Sequence, residues 1–175
     1  MTDDIDIRPF SQADAAQVRD LFVTVNRLLA PPDMQAAFEH YIVHALHEEI
    51  DRIDEYYREH NGGFWVAVRD AFVVAMFGLE KAGADAMELR RTYVVPELRR
   101  TGIGRLMLRF AENECRRRGF VRLVLSTSEL QRAAVGMYRR SGYVLVKEVT
   151  VETISNRTVG GGVRRFHFEK DLRRT

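Results

Sequence analysis

The sequence predicts a single α/β domain spanning residues 1–175 and built on a mixed β-sheet. Three observations predict it. Helix-period apolar stripes alternate with short β-rich runs from one end of the chain to the other. Two of those runs, residues 64–68 and 72–77, are joined by a short link at Arg69-Asp70, as a hairpin requires. The length of 175 residues allows one sizeable core and is too short for two ordinary domains.

Residues 5–8 read as the first strand, followed by Pro9 and by Ser11 as a helix cap with Asp14 three residues on. Ala15, Val18, Phe22, Val25 and Leu29 then repeat at helical spacing. Pro31-Pro32 closes that helix, and Asp33 caps the next. Phe38, Ile42, Leu46, Ile50, Ile53 and Tyr57 form a second stripe on a long or broken helix that Gly62-Gly63 ends. Such a stripe forms core, and it also suits the wall of a substrate pocket. After the hairpin, a β-rich run from Met87 to Val95 stops at Pro96. A helix from about Gly102 to Arg118 turns Ile103, Leu106, Met107, Phe110 and Ala111 inward, with Gly119 just beyond. Residues 121–125 form the next strand and 131–140 a short helix stopped by Gly142. The runs 144–151 and 165–169 make a final strand pair across a loop containing Gly160-Gly161-Gly162.

Composition narrows the function classes. Hydrophobic residues at 46% and charged residues at 30% are ordinary for a soluble globular protein. Nothing approaches the apolar run of about 18 residues that a membrane span needs, so no membrane partner is expected. The opening MTDDIDIRPF is acidic where a secretory signal is basic and then apolar, which predicts a cytoplasmic protein. Cys115 is the only cysteine, excluding an internal disulfide and a thiolate-rich metal site. His40, His44 and His47 lack the Glu of a His-Glu-x-x-His zinc helix and read as a solvated face, so no metal is expected. Asn156-Arg157-Thr158 spells a glycosylation sequon, set aside because no export signal accompanies it. Net charge is only +2, yet arginines gather between Arg90 and Arg122 and acidic residues between Glu48 and Glu55. Composition reads these as two solvated surfaces of opposite sign. A basic stripe also suits nucleic acid or a phosphorylated cofactor.

Chemistry concentrates at Arg99-Arg100-Thr101-Gly102-Ile103-Gly104, between a strand end and an amphipathic helix. Glycines at a helix start let the backbone approach a ligand and leave N–H groups pointing outward. Those groups and the positive helix end favour phosphate oxygens, and Arg99, Arg100 and Arg105 add charge around them. A Walker P-loop needs Lys and then Ser or Thr after its second Gly, where Arg105-Leu106 stands. A dinucleotide fingerprint needs Gly or Ala where Met107 stands. Neither fits.

The segment resembles the cofactor signature of the GNAT superfamily of N-acetyltransferases, Gln/Arg-x-x-Gly-x-Gly/Ala, at every defined position from Arg99 to Gly104. Thr92-Tyr93-Val94-Val95-Pro96 resembles that family's preceding strand end, whose backbone pairs with the pantetheine arm of acetyl-CoA. Leu125-Ser126-Thr127 is similar to its next strand. Gln131-x-x-Ala134-x-x-Met137-Tyr138-x-x-x-Gly142-Tyr143 resembles its second signature, with Gln131 in place of the usual Asn and Tyr143 in place of Phe. The resemblance is tight from Met87 to Tyr143 and looser over residues 64–77 and 166–170. It implies a twisted mixed sheet of about six or seven strands flanked by about four helices, with strands four and five splaying apart after Val94. It also implies acetyl-CoA as acetyl donor, held by Tyr93, Val94, Arg99, Arg100, Thr101, Gly102, Ile103, Gly104 and Gln131.

The implied reaction is direct attack of an amine on the acetyl thioester, without an acyl-enzyme. The resemblance places Tyr138 beside the cofactor sulfur, as the acid for the departing thiolate. Glu88 lies eleven residues before Arg99, the spacing at which several lysine acetyltransferases of the superfamily carry a glutamate. It is the candidate base, working with burial or a relaying water; on the same strand face, Arg90 is positioned to hold it as a plain ion pair. Cys115 is read as structural. The favoured acceptor is a small molecule or amino-acid derivative with a primary amine. The alternatives are a protein acetyltransferase for N-termini or lysines and a non-catalytic acyl-CoA-binding module, with a nucleic-acid partner last. No nucleic acid is expected, and a homodimer is left open.

Overall fold

The described chain, residues 4–173 of a computed structural model, runs β1 (Asp6–Pro9), α1 (Ala15–Leu29), α2 (Gln35–Glu48), α3 (Ile53–Glu59), β2 (Gly63–Arg69) and β3 (Phe72–Lys81). It continues through β4 (Ala86–Val94), α4 (Ile103–Arg117), β5 (Arg122–Ser128), α5 (Arg132–Arg140), β6 (Val144–Val151) and β7 (Val163–Asp171). Residues 1–3, where the acidic opening read against a secretory signal begins, and 174–175 lie outside the described residues.

All seven strands join one mixed sheet in the order β1-β2-β3-β4-β5-β7-β6. Only β4 and β5 run parallel, with α4 as the crossover between them. The hairpin between β2 and β3 turns on Asp70 (φ 50) and Ala71 (φ 66), one position later than the sequence link. Two successive positive-φ residues make the turn whose twist matches its strands.

The sheet separates two cores. On one face Val18, Phe22, Phe38, Ile42, Leu46, Ile53 and Tyr57 from the first three helices, with Ile50 from the turn between α2 and α3, pack on Val66, Met76 and Tyr93. On the other, Ile103, Met107, Leu108 and Ala111 of α4 pack with Tyr138 of α5 on Phe77, Leu89, Leu125 and Phe168. Leu108 rather than Leu106 completes the buried stripe of α4. Each fully buried Leu, Ile, Phe or Met contributes about 1.5–3 kcal/mol. The stripe from Phe38 to Tyr57, read as a long or broken helix, is broken, into α2 and α3. The break falls at Glu49 (φ −137, ψ −60), whose carboxylate is drawn into the interior.

One feature of the sheet positions the site. β4 pairs with β5 only from Ala86 to Leu89, opposite Arg122 to Leu125. Beyond Leu89 the two strands part, while β5 stays paired with β7 as far as Ser128. The splay therefore opens at Arg90, several residues earlier than the sequence placed it. The cause is a bulge in β4: its register against β3 slips between Met76 and Gly78, and Arg91 takes φ 55. A bulge bends its strand and re-aims the side chains around it.

Candidate functional site

The opening between β4 and β5 widens into a cleft with about 830 Å³ of atom-free space, partly continuous with solvent. Elements from both faces of the sheet reach it. Asn26 and Leu29 come from α1, Phe38 and Tyr41 from α2, and Asn156 to Val159 from the loop joining β6 to β7. Gln131, Ala134 and Tyr138 come from the start and body of α5. Of the second apolar stripe only Phe38 reaches the cleft wall, while Ile42, Leu46, Ile50, Ile53 and Tyr57 fill core.

Tyr138 is buried, its ring edge-on to Tyr143 at 5.8 Å and tilted on Phe168 at 6.1 Å. Burial pushes its phenol up to about 12, and a hydrogen bond with the Thr92 side chain draws it back only in part. A hydroxyl in that state keeps its proton throughout the physiological range and is a donor at the mouth of the splay.

Glu88 also lines the cleft. Met87 and Leu89 face the core under α4, so strand alternation turns Glu88 and Arg90 to the face covered by α1–α3. The ion pair expected between Glu88 and Arg90 does not form. Arg157, from the β6–β7 loop, places Nη1 2.6 Å from Glu88 Oε2, and its Nη2 grips Glu80. Arg90 instead gives Nη2 to Glu49 at 2.6 Å, with Nε 3.5 Å from Glu80.

Glu49 is the hub of this network and is fully buried. It accepts from Arg90, from Arg91 Nε at 3.0 Å and Nη2 at 2.7 Å, and from the Tyr57 hydroxyl at 2.7 Å. Burial alone would raise its carboxyl, but the guanidiniums of Arg91 and Arg90 outweigh that and hold it at about 2. Arg91 also donates to the Tyr41 hydroxyl and the Asn156 carbonyl. Tyr56, pushed up to about 12 chiefly by burial, donates to Glu80 at 3.0 Å. Two arginines and one glutamate that composition assigned to opposite solvated surfaces are therefore an interior network. It ties β4 to the end of α2.

The candidate phosphate loop lies beyond this cleft, at the N-terminus of α4. Arg100 (φ 66) and Gly102 (φ 97) fold it through the left-handed region, where only Gly102 is free of strain. Leu106 N–H closes the first turn on the Gly102 carbonyl at 3.0 Å, so the N–H groups of Ile103, Gly104 and Arg105 precede the helical ladder. Thr101 Oγ1 braces the loop on the Leu98 carbonyl at 2.6 Å. Arg99, Arg100 and Arg105 are exposed and meet no carboxylate at ion-pair distance among the described residues. A Cβ on Gly104 would stand 3.0 Å from Met137 Sδ, which puts the loop directly against the helix that carries Tyr138.

The remaining expected cofactor residues divide. Ile103 buries its side chain and Tyr93 packs its ring 6.0 Å from Phe22, so these two offer a ligand backbone rather than side chain. Val94 lies partly buried at the end of β4. Gln131 accepts at Oε1 from Thr127 Oγ1 at 2.8 Å and Ser128 N–H at 3.4 Å, which engages its amide oxygen within the start of α5. Cys115 is buried as a free thiol raised to about 12 by burial, which removes the thiolate a nucleophile needs. His44 pairs with Glu48 at 3.0 Å while His40 and His47 are exposed, as a solvated face requires.

Sequence reasoning missed Arg157 and Arg165, both lining the cleft from the last third of the chain. A signal existed for Glu49. It sits three residues after Leu46 and four before Ile53, on the apolar stripe, where a charge needs a buried partner.

Comparison with known proteins agrees with this geometry. The model of the acetyltransferase (GNAT) family matches residues 29–143, well over half of the chain. Probable N-acetyltransferase 14 of Xenopus tropicalis is 33% identical over 97 residues, covering 54% of this chain and 47% of the relative. N-acetyltransferase family 8 member 3 of Rattus norvegicus is 33% identical over 112 residues, covering 61% and 49%. The chain thus spans about half the length of the curated relatives it matches. Among solved structures, PaiA N-acetyltransferase of Thermoplasma acidophilum, in complex with coenzyme A, superposes with a TM-score of 0.73 at 20% identity, covering 95% of this chain and 98% of that one. The matched segment contains the splayed strands, the phosphate loop and Tyr138, and the chain belongs to the GNAT family of acetyltransferases.

Proposed function

We propose that this chain is an acetyl-CoA-dependent N-acetyltransferase, one domain over its 175 residues, which passes acetyl directly to a primary amine of a small molecule or amino-acid derivative. The observation that carries the reading is the splay. Backbone groups beyond Leu89 of β4 are free of β5 just where the buried Tyr138 hydroxyl meets Thr92, and the arginine-flanked helix start abuts the same helix through Met137. These residues fit acetyl-CoA: Arg99, Arg100 and the N–H groups of Ile103 and Gly104 for phosphate, and the Tyr93–Val94 backbone for the amide arm. When bound, acetyl-CoA supplies the acetyl group as an activated thioester. The chain's own part is to place both reactants, to take a proton from the ammonium near Glu88, and to hold one at the Tyr138 oxygen for the sulfur. The free, buried thiol of Cys115 suits a reducing compartment, and we place the activity in the cytoplasm.

Release of free thiol from acetyl-CoA over a panel of amines tests the reading. Turnover supports it, and acetyl-CoA binding without turnover on any amine would make the chain an acyl-CoA-binding module. The phosphate loop has its own test. Gly104→Glu puts bulk and negative charge beside Met137 where phosphate must sit, and should weaken acetyl-CoA binding at least tenfold, about 1.4 kcal/mol. Unchanged affinity in titration calorimetry would mean the loop has another role.

Glu88→Gln separates a base from an anchor for Arg157. As the base, Glu88 takes with it at least tenfold in rate near neutral pH, and the loss shrinks as pH rises and the amine deprotonates unaided. As an anchor alone, the substitution lowers stability and leaves the pH–rate profile in shape, which would hand the proton to a water or a backbone group.

A further inference from the structure

We infer that the amine acceptor also carries a carboxylate, and that the Arg165 guanidinium is the group that receives it. This deepens the acetyltransferase reading and rests on it for the position of the acceptor.

Four arginines line the cleft: Arg90, Arg91, Arg157 and Arg165. Three are already matched. Arg90 and Arg91 hold Glu49, and Arg157 holds Glu80 and Glu88. Arg165 has no carboxylate at ion-pair distance among the described residues. Its Nη2 donates only to Ser126, to Oγ at 2.8 Å and to the carbonyl at 3.2 Å. Burial lowers its pKa from the ordinary value, yet a guanidinium stays charged in a protein, so a cation is held in a partly buried place without its counterion. Such a site is costly until an anion arrives, and a carboxylate meets a guanidinium with two parallel hydrogen bonds.

Its place in the sheet says which ligand that anion belongs to. Val163 belongs to the core under α1–α3 and Phe168 to the core under α4 and α5. Alternation along β7 therefore puts Arg165 on the α1–α3 face with Glu88, opposite the face that carries Tyr138 and the phosphate loop. It is on the acceptor's side of the splay and not within the phosphate loop. Register also sets a spacing. Glu88 pairs with Val124 of β5, and the head of Arg165 is anchored on Ser126 two residues further along, about 7 Å in strand rise. One hydrogen bond at each end and the short N–Cα–C path of an amino acid bridge that interval. His167 lies in the same interval, paired with Ser126 across β5 and β7; burial lowers its pKa, Lys147 and Arg165 add to the fall and Glu88 opposes it. Leu29 and Phe38 are among the other residues lining the cleft and suit an apolar side chain on the acceptor.

The test uses the whole chain with the protein amino acids and, for each, the amine left by removing its carboxylate. Acetyl transfer is followed by thiol release, and binding of each compound is followed separately by saturation-transfer NMR in the presence of coenzyme A. The wild type should favour at least one amino acid over its decarboxylated partner by tenfold or more in kcat/KM. Arg165→Met should raise KM for that amino acid ten- to a hundredfold and leave KM for acetyl-CoA unchanged, the scale of one charge-assisted hydrogen-bond pair. Arg165→Lys should retain part of the affinity that Arg165→Met loses, and Ser126→Ala, which removes one anchor of Nη2 and keeps the charge, should raise KM by a smaller factor than Arg165→Met. Equal or better transfer to the decarboxylated amines, or an Arg165→Met enzyme with unaltered selectivity, overturns the inference and leaves the acetyltransferase standing. Amino acids that bind through Arg165 but are never acetylated would overturn the acceptor inference together with the acetyltransferase reading, and leave Arg165 a carboxylate-binding group only. Neither binding nor transfer with any carboxylate-bearing amine removes the inference outright.

Discussion

Tyr138→Phe should lower kcat by about 10²–10⁴-fold, the range of a general acid, while acetyl-CoA affinity stays within a few-fold of the wild type. The substitution deletes one oxygen and keeps the ring that packs against Tyr143 and Phe168, so the core beneath α5 persists. Affinity should hold because the contact matters only as negative charge develops on the sulfur, which is the signature of an interaction made in the transition state. The phenol, raised to about 12 by burial, carries its proton throughout the physiological range, so its titration should not shape the pH–rate profile there. Steady-state kinetics with calorimetry on the same preparation reads both quantities. Loss of affinity in step with kcat would make Tyr138 a packing residue whose removal distorts the splay.

Local signals carried most of the fold. Strand and helix periods, the hairpin link and the cap at Ser11-Asp14 are written within a few residues of where they act, and Ser11 N–H does bond Asp14 Oδ2 at 2.9 Å. The early opening of the splay was not legible, because it comes from a register slip against β3 and the positive φ of Arg91, a residue type that gives no warning of it. The broken second helix was anticipated in kind but not in place. Glu49 decides the place by turning inward, and its partners Arg90 and Arg91 lie 41 and 42 residues away.

The site divides in the same way. The phosphate loop and Tyr138 were legible because a helix start and its flanking residues are contiguous in sequence. The partner of Glu88 was not, since Arg157 comes from 69 residues downstream, in a stretch where the spelling suggested only a discarded sequon. That sequon's Asn156 turns its Nδ2 toward Glu49 and Tyr56 at 3.4 Å, so the β6–β7 loop is sewn into the interior beneath the cleft. Charge counts were misleading here because they give quantity and sign but no direction. A glutamate flanked at helical spacing by Leu46 and Ile53 is a different object from one on a solvated face.

The same glutamate sets the largest expected effect on stability. Glu49→Ala should cost about 3–5 kcal/mol, because it leaves two buried guanidiniums and the Tyr57 hydroxyl without their acceptor. Against a typical total of about 5–15 kcal/mol, that loss should drop the denaturant midpoint sharply or prevent folding at ordinary temperature. Glu49→Gln, which keeps an acceptor but removes the charge, should fall between the two and remain foldable enough to measure. The pH dependence gives the sign independently. A carboxyl held at about 2 in the folded chain, against 4.5 when unfolded, binds fewer protons folded than unfolded across that interval. Its contribution is therefore complete above about pH 4.5 and is lost as pH falls toward 2, on the order of 3 kcal/mol in all. In Glu49→Gln that component is gone, so the variant's stability should change less than the wild type's over the same window. Parallel curves for the two proteins would show that acid sensitivity arises elsewhere. Because Arg90 and Arg91 also line the cleft, kcat/KM of the Gln variant should fall by more than its stability loss accounts for at temperatures where it is fully folded. Wild-type kinetics in a folded Gln variant would confine Glu49 to holding β4 against α2, with no influence on the geometry of the splay.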